Sequence, residues 1–336
     1  MNNIGFRRTH MCAELNEANA GELVNLSGWV QRTRNLGSII FVWLRDRTGL
    51  VQLVFDEKDC DKETFALGES LRGEYVLSVQ GKVSLRDEAA VNEKLKTGRI
   101  EVFVRKAILL NKAETPPIYI DDDHPDESET VRMKYRYLDI RRPSVQRTLR
   151  MRHKILQTLR NYMDGQEFVE VETPILTKST PEGARDFLVP SRLHHGTFYA
   201  LPQSPQIYKQ LLMLGGYDRY FQIARCFRDE DSRADRQPEF TQCDIEMSFV
   251  EPEDVQTVVE GAFEEVFRTV KGIELQLPLE RITWQYAMDT YGSDKPDRRF
   301  GLTIHDVSDA VRGCGFSVFA GAVGNGGTGR GIHAKG

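Results

Sequence analysis

Residues 227–246 read FRDEDSRADRQPEFTQCDIE, and this stretch decides how the chain is read. The largely apolar run Tyr220 to Phe227 leads into twelve residues carrying eight charges, Arg228 to Glu239. Alternation of period two then returns: Phe240, Gln242, Asp244 and Glu246 fall on one side, Thr241, Cys243, Ile245, Met247 and Phe249 on the other. The pattern predicts two antiparallel strands joined by a charged loop, one sheet face apolar and laid on helices, the other carrying Arg228, Glu230, a ring, an amide and two carboxylates. Charge runs in loops are commonly just solvated tips. This face instead offers unlike groups in a row, suited to a base, a phosphate and a cationic or metal-bound group.

Working outward, 336 residues predict two domains and the start of a third. With 28% charged and 40% hydrophobic residues the composition is that of a soluble protein. No apolar run reaches membrane-spanning length, and the N-terminus lacks a signal-peptide core, so a cytoplasmic location is expected. Five cysteines (Cys12, Cys60, Cys226, Cys243, Cys314) without CxxC spacing imply reduced thiols. Cys243 reads as packing on the apolar face, and Cys226 as bordering the working face. A net charge of −5 argues against indiscriminate polyanion binding but leaves room for a local basic groove.

Between residues 22 and 110 short strands are predicted at Leu23 to Thr33, Ser38 to Arg45, Leu50 to Phe55, Tyr75 to Ser84 and Ile100 to Leu109. A helix at Lys62 to Leu71 falls between the third and fourth strands. That order suggests an OB-fold, a five-stranded barrel that often binds single-stranded nucleic acid. Arg32 and Arg34 would meet phosphates, Phe41 would stack on a base, and Gln52 and Glu101 would read base edges. The competing reading makes Phe41 core and the arginines solvated surface.

Asn111 to Glu129, rich in Pro and acid, reads as a linker. A long helix follows, with Pro143 in its first turn, an apolar stripe of Val145, Leu149, Leu156, Leu159 and Met163, and Gly165 as its stop. The strand Phe168 to Glu172 ends at Pro174, which would suit either core or a subunit interface. TKSTPEGARD, 177–186, is a candidate lid over a pocket, though most loops of this kind are only connectors. The pair His194–His195 sits at a hairpin tip without a neighbouring Cys or acid, so no metal ligand is assigned there. In LPQSPQIYKQLLMLGG, Ser204 is expected to cap a helix with Pro205 at its first position and Gly215–Gly216 at its end. Gln206 and Lys209 share a face. A lysine so near a helix N-terminus opposes the dipole, which hints at an anionic ligand, although a surface salt bridge would also explain it.

Taken together, TPEGARD (180–186), ALPQSPQIYKQ (200–210), FRDED-RADRQPEFTQ-DIE (227–246) and GWVQRTRNLGSIIFVWLRD (28–46) resemble the bacterial-type aspartyl-tRNA synthetases, a family of class II aminoacyl-tRNA synthetases. The resemblance runs almost the whole chain. It implies an α+β protein: a five-stranded OB-fold barrel that binds the anticodon (1–110), a linker (111–135), part of a class II antiparallel-sheet catalytic domain with motifs 1 and 2 (136–290), and the start of an inserted domain (291–336). It further implies ATP and Mg2+ as cofactors, with L-aspartate and tRNA-Asp as partners of a homodimer. Arg228 would hold the ATP α-phosphate and Phe240 would stack on adenine. Glu230, Arg233, Asp235 and Gln237 would contact ATP or the tRNA acceptor end. Glu182, Ser204 and Gln206 would hold the substrate ammonium, and Lys209, oriented by Asp244, would bind the aspartate side chain. Arg32, Phe41, Gln52 and Glu101 become anticodon contacts, with Arg34 on phosphate. Leu36 leans toward discrimination between tRNA-Asp and tRNA-Asn.

The glycine-rich strand and helix of motif 3 is not found; GNGGTGRG (324–331) is followed by only five residues. A C-terminally truncated chain is therefore expected, lacking motif 3, the principal aspartate-specific arginine and the Mg2+-binding acids. Such a chain should show little aminoacylation alone and should be poorly soluble through an unpaired sheet edge. Two other functions remain open: a non-catalytic tRNA-binding protein using the barrel alone, and an enzyme charging both tRNA-Asp and tRNA-Asn.

Overall fold

The computed structural model describes residues 5–123, 127–180, 182–299 and 301–334. They form two compact units, Met1–Gln157 and Thr158–Gly336.

In the first unit five strands close into a barrel: β1 (Leu23–Asn35), β2 (Ile39–Asp46), β3 (Gly49–Asp56), β4 (Val76–Leu85) and β5 (Ile100–Asn111), in the order β1-β2-β3-β5-β4. Period-two alternation sends Val24, Leu26, Val30, Val42, Leu44, Leu53, Leu77, Val79, Val102 and Val104 inward to complete burial. Each such side chain contributes roughly 1.5–3 kcal/mol. Gly28 lets β1 coil over β2, because a Cβ there would lie 2.3 Å from the Arg45 carbonyl oxygen. Helix α1 (Lys62–Ser70) lies between β3 and β4, capped by the Asp61 carboxylate accepting from the Thr64 N–H at 2.7 Å.

The acid- and Pro-rich connector is not free chain. Its short helices α2 (Glu129–Lys134) and α3 (Arg136–Asp139) accompany Ile118 and Ile120, which are buried with Leu138. Two isolated isoleucines among prolines and acids make no period, which is why the sequence pattern hides them. Asp139, wholly buried, is held by Arg132 at 2.8 Å and by Arg136. Both carboxylate oxygens of Glu74 accept from Arg45 Nη2, at 2.7 and 2.8 Å, and Oε2 accepts a further bond from Arg141 at 2.8 Å. Arg141 also lies 4.8 Å above the Trp29 ring. These charges fasten the connector to the barrel.

Helix α4 (Pro143–Gly165) is followed by β6 (Val169–Glu170), the hairpin β7 (Leu188–Pro190) and β8 (Phe198–Ala200), then α5 (Gln206–Leu214), β9 (Arg219–Phe227), β10 (Glu239–Met247) and α6 (Pro252–Lys271). The predicted hairpin is present. β9 and β10 pair antiparallel with Phe240 opposite Cys226 and Asp244 opposite Gln222, and β6 joins β9 in parallel. The apolar face packs on helices: Phe221, Ile245 and Met247 meet Leu159 and Met163 of α4 and Val258 and Ala262 of α6. Gly261 permits the close crossing of α6, since a Cβ there would lie 2.2 Å from the Tyr162 hydroxyl.

Three local expectations are corrected. Leu149 is 45% exposed, so the stripe of α4 is interrupted in mid-helix. α4 does end at Gly165, and the chain turns away at Glu167 (φ 62), with the Phe168 N–H reaching back to the Met163 carbonyl at 3.0 Å. Phe249 lies beyond β10 at φ 56 and is 99% exposed rather than part of the apolar face. Cys243 keeps its strand phase yet is exposed.

Beyond α6 come α7 (Trp284–Tyr291), β11 (Ile304–Asp306), α8 (Ser308–Val311), α9 (Ser317–Gly324) and β12 (Arg330–Ile332). The glycine-rich stretch 324–331 runs from the end of α9 through a turn at 325–329 into β12, which pairs with β11. Arg330 within it is tied to Asp289 at 2.8 Å. Among the described residues no helix is long and apolar enough to cross a membrane.

Candidate functional site

In the second unit the site is built on the polar face of β9–β10. The Arg228 N–H donates to the Pro238 carbonyl at 2.8 Å, which closes the mouth of the charged loop. The Arg228 guanidinium then lies 5.1 Å from the centroid of the Phe240 ring. A fixed cation beside a half-buried ring suits a phosphate next to a purine. Outside this pair the loop is solvent-exposed. Glu230 contacts Arg236 at 3.6 Å, and Arg233, Asp235 and Gln237 present free surface.

At the other end of the face Lys209 of α5 meets Asp244 at 2.9 Å and Glu246 at 3.3 Å. Lys209 and Asp244 are each 11% exposed in their side chains. Burial pulls the Lys209 ammonium down, but the hydrogen bonds and charges of Asp244 and Glu246 outweigh it, so the group is held above its ordinary value. Asp244 is raised, because burial outweighs the attraction of Lys209. Its second oxygen, Oδ2, is buried without a hydrogen-bond partner. An orphaned carboxylate oxygen is a ready acceptor for a ligand donor. The lysine that opposes the helix dipole is thus held by two carboxylates of the neighbouring strand.

Ser204 does not cap α5. Pro205 occupies the N-cap position, and the Ser204 hydroxyl donates to Glu182 Oε2 at 2.7 Å. Glu182 Oε1 accepts from Thr180 at 3.0 Å. Glu182 and Ser204 line a cavity of about 440 Å³ that also touches Lys178, Ile207 and Tyr208. Gln206 is half-buried on the first turn of α5, one turn before Lys209. The predicted residues therefore gather as three contacting pairs, Arg228–Phe240, Lys209–Asp244 and Ser204–Glu182. Cys226 lies opposite Phe240 in the ladder, and its thiol is pushed up to about 11 by burial first, then by the charges of Asp244 and Glu182, against those of Arg228 and Lys209. It donates to Gln242 Oε1 at 3.3 Å and is buried, so it borders the face without opening onto it.

Gln203, which the sequence reading passed over, anchors the segment 177–186. Wholly buried, it accepts from the Ala184 N–H at 3.0 Å and donates to the Ala184 carbonyl at 2.9 Å and to Asp186. Asp186 also accepts from Ser179 at 2.6 Å, and the Asp229 N–H donates to the Arg185 carbonyl. Burial raises the Asp186 carboxyl, but these donors prevail and hold it below its ordinary value. An amide flanked by prolines immediately before a helix was the available signal.

In the barrel, a cavity of about 390 Å³ is lined by Arg32, Arg34, Phe41, Gln52 and Glu101, all five of the residues singled out from sequence. Cross-strand register explains the grouping: Arg32 faces Trp43, Arg34 faces Phe41, Trp43 faces Gln52, and Ser84 faces Glu101. Phe41 is half-buried on the outer face of β2, so it is not a core residue. Trp43 and Arg86 complete the wall and were missed. Trp43 Nε1 donates to Gln52 Oε1 at 3.3 Å, and Gln52 Nε2 donates to Glu101 Oε2 at 2.9 Å. Arg86 Nε lies 3.8 Å from Glu101, while Arg86 Nη2 is buried without a partner. Burial raises the Glu101 carboxyl above its ordinary value. Rings, an amide, a carboxylate and cations together can stack bases, read their edges and meet phosphates.

The comparisons match both regions of the chain. Residues 128–313 match the family described as tRNA synthetases class II (D, K and N), and residues 24–110 match the OB-fold nucleic acid binding domain. The chain belongs to the class II tRNA synthetases. Within that class it is 56% identical over 99% of its length to the aspartate–tRNA ligase of Agathobacter rectalis, covering 55% of that protein. To the aspartate–tRNA(Asp/Asn) ligase of Bacillus subtilis it is 56% identical over 98% of its length, covering 56%. It thus spans about half the length of the curated relatives it matches. Among solved structures, asparaginyl-tRNA synthetase of Pyrococcus horikoshii with bound asparaginyl-adenylate superposes with a TM-score of 0.69 at 26% identity, covering 80% of this chain and 59% of that one.

Proposed function

We propose that these residues are the anticodon-binding barrel and the first part of the catalytic domain of an aspartate–tRNA ligase. The observation that carries the reading is the β9–β10 face, with Arg228 over Phe240 at one end and Lys209 between two carboxylates at the other. In this reading Phe240 stacks on adenine and Arg228 neutralises the ATP α-phosphate as the aspartate α-carboxylate attacks it in line. Pyrophosphate leaves and aspartyl-adenylate remains. The terminal ribose of tRNA-Asp then takes the aspartyl group, and its hydroxyl proton is released. The carboxylate is already a nucleophile, so positioning and charge neutralisation are the protein's part in the first step.

Lys209 is the cation for the aspartate side chain, oriented by Asp244. Glu182, Ser204 and Gln206 receive the substrate ammonium, with the Ser204–Glu182 contact supporting that grouping. Glu230, Arg233, Asp235 and Gln237 contact ATP or the acceptor end, which their exposure permits. Mg2+ would neutralise the phosphates. Among the described residues no group of three or more His, Cys, Asp or Glu is placed to hold a metal.

The division into barrel (1–110), linker (111–135), catalytic part (136–290) and start of an inserted domain (291–336) belongs to the same proposal, as does a cytoplasmic homodimer. Exposed Leu149 and Met151 on α4 and Val169 on β6 support a subunit contact. The test is aspartate-dependent ATP–pyrophosphate exchange by the whole protein in which these residues occur, with asparagine as control. Exchange lost in Arg228→Ala and Lys209→Met supports the reading. Tight tRNA-Asp binding without any exchange would instead mark a tRNA-binding protein. A second reading follows from relatives whose names include both tRNA-Asp and tRNA-Asn. Charging assays with each tRNA separate it from strict discrimination.

A further inference from the structure

A second groove lies on the same unit as the barrel cavity, with a volume of about 690 Å³, and Trp43 forms a wall of both. Along the outer face of β2, Phe41 and Trp43 belong to the cavity, and Trp43 and Arg45 to the groove. Four residues of strand cover on the order of 13 Å, a distance that a bound oligonucleotide crosses in a few nucleotides.

The charges of the groove divide into two sets. Arg45 and Arg141 are consumed by Glu74, and Arg147 by Asp122 at 3.2 Å. The acids of the connector wall are likewise engaged: Asp122 also accepts from the Ser144 N–H at 3.1 Å, and Asp121 from the Asp123 N–H. Arg47, Lys94, Lys96 and Arg150 line the groove, are exposed, and have no carboxylate partner among the described residues. They come from three separate segments: the β2–β3 turn, the β4–β5 connection and the second turn of α4.

Free cations converging on a groove from three segments, beside a cavity fitted for bases, define a track for a polyanion. We propose that this groove holds the sugar–phosphate backbone of the RNA stem flanking the loop whose bases enter the barrel cavity. The proposal rests on the nucleic-acid reading of that cavity. It adds a backbone contact that positions the RNA without reading sequence.

The test uses the full 336-residue chain. The probes are the anticodon stem-loop of tRNA-Asp and a linear oligonucleotide of the loop sequence alone. Each neutralised phosphate contributes a log–log salt slope of about 0.7 to 0.9. The variant Arg47→Gln/Lys94→Gln/Lys96→Gln/Arg150→Gln should therefore flatten the stem-loop slope by about 3. Its affinity for the stem-loop should fall at least roughly tenfold at low salt, with affinity for the linear loop kept within about twofold. Lys58→Gln/Lys62→Gln, which removes exposed cations outside the groove, should leave the slope unchanged. Phe41→Ala should weaken both RNAs. If both RNAs bind and the four-site variant keeps the wild-type slope, or loses both RNAs equally, the groove proposal is overturned while the cavity reading stands. If neither RNA binds the unaltered chain, the cavity reading fails and the groove falls with it.

Discussion

Replacing Lys209 by Met removes a cation from between two carboxylates and keeps most of the side-chain volume. Lys209 and Asp244 are each about nine-tenths buried, whereas Glu246 is 29% exposed and can turn toward water. Breaking a buried pair by deleting one partner costs about 3–5 kcal/mol. The partial exposure of Glu246 places this case near the lower end, about 3 kcal/mol, or roughly a hundredfold in an opening equilibrium. Two compact units make a single unfolding midpoint ambiguous, so the proper assay is amide hydrogen exchange of β9 and β10. Their protection should drop by roughly that factor at neutral pH, with the barrel strands unchanged.

The pH dependence fixes the sign. Asp244 is already above its ordinary value of 3.8, so its ionisation opposes folding as pH rises through the range between the two values. Without Lys209 its carboxyl rises further, and the deficit of the variant should shrink as pH falls and Asp244 takes up a proton. Lys209 itself is raised above 10.5, so its contribution in the unaltered chain is complete below that value and is lost as pH rises through the raised one. Protection within threefold of wild type at neutral pH, or a deficit that grows toward acid, would refute the reasoning.

Gln203→Leu should leave the β9–β10 ladder intact but speed hydrogen exchange at Ala184 and its neighbours at least roughly tenfold, since each lost bond is worth about 1 kcal/mol and one reaches a carboxylate. Unchanged exchange across 177–186 would show that something other than this amide holds the segment. Gly261→Ala places a methyl 2.2 Å from the Tyr162 hydroxyl, and overpacking of this kind costs about 1–3 kcal/mol. Exchange of α6 amides should report the loss, and adding Tyr162→Phe should restore part of it; no recovery would mean the helices separate rather than clash.

Period and turn chemistry made the hairpin legible: strand phase put Arg228 and Phe240 on one face, while the orientation of Lys209 by Asp244 came from the family resemblance. The same phase brought five barrel residues onto one cavity wall. What escaped was decided by groups whose partners lie far away in sequence. Trp43 and Arg86 were passed over: the β2–β3 and β4–β5 pairings set them beside Gln52 and Glu101, and neither residue type signals such a partner by itself. Gln203 was hidden between prolines, since an amide's partners leave no periodic trace. Ser204 has a cap-like context, yet its hydroxyl finds a stronger acceptor in the carboxylate of Glu182. Phe249 followed the apolar alternation on paper, but β10 ends at Met247 and a left-handed residue carries the ring away. Local pattern reads faces well and terminations poorly.

The barrel is closed by β3 and β5, which run parallel and pair at Leu53–Val102 and Val54–Phe103. Gln52 and Glu101 stand immediately beside that seam, one on each strand, and join hands across it. A ligand gripping both would act as a stitch over the join. Occupancy of the cavity and closure of the barrel then become a single linked equilibrium, and the domain should grow more resistant to unfolding in proportion to how tightly it is read.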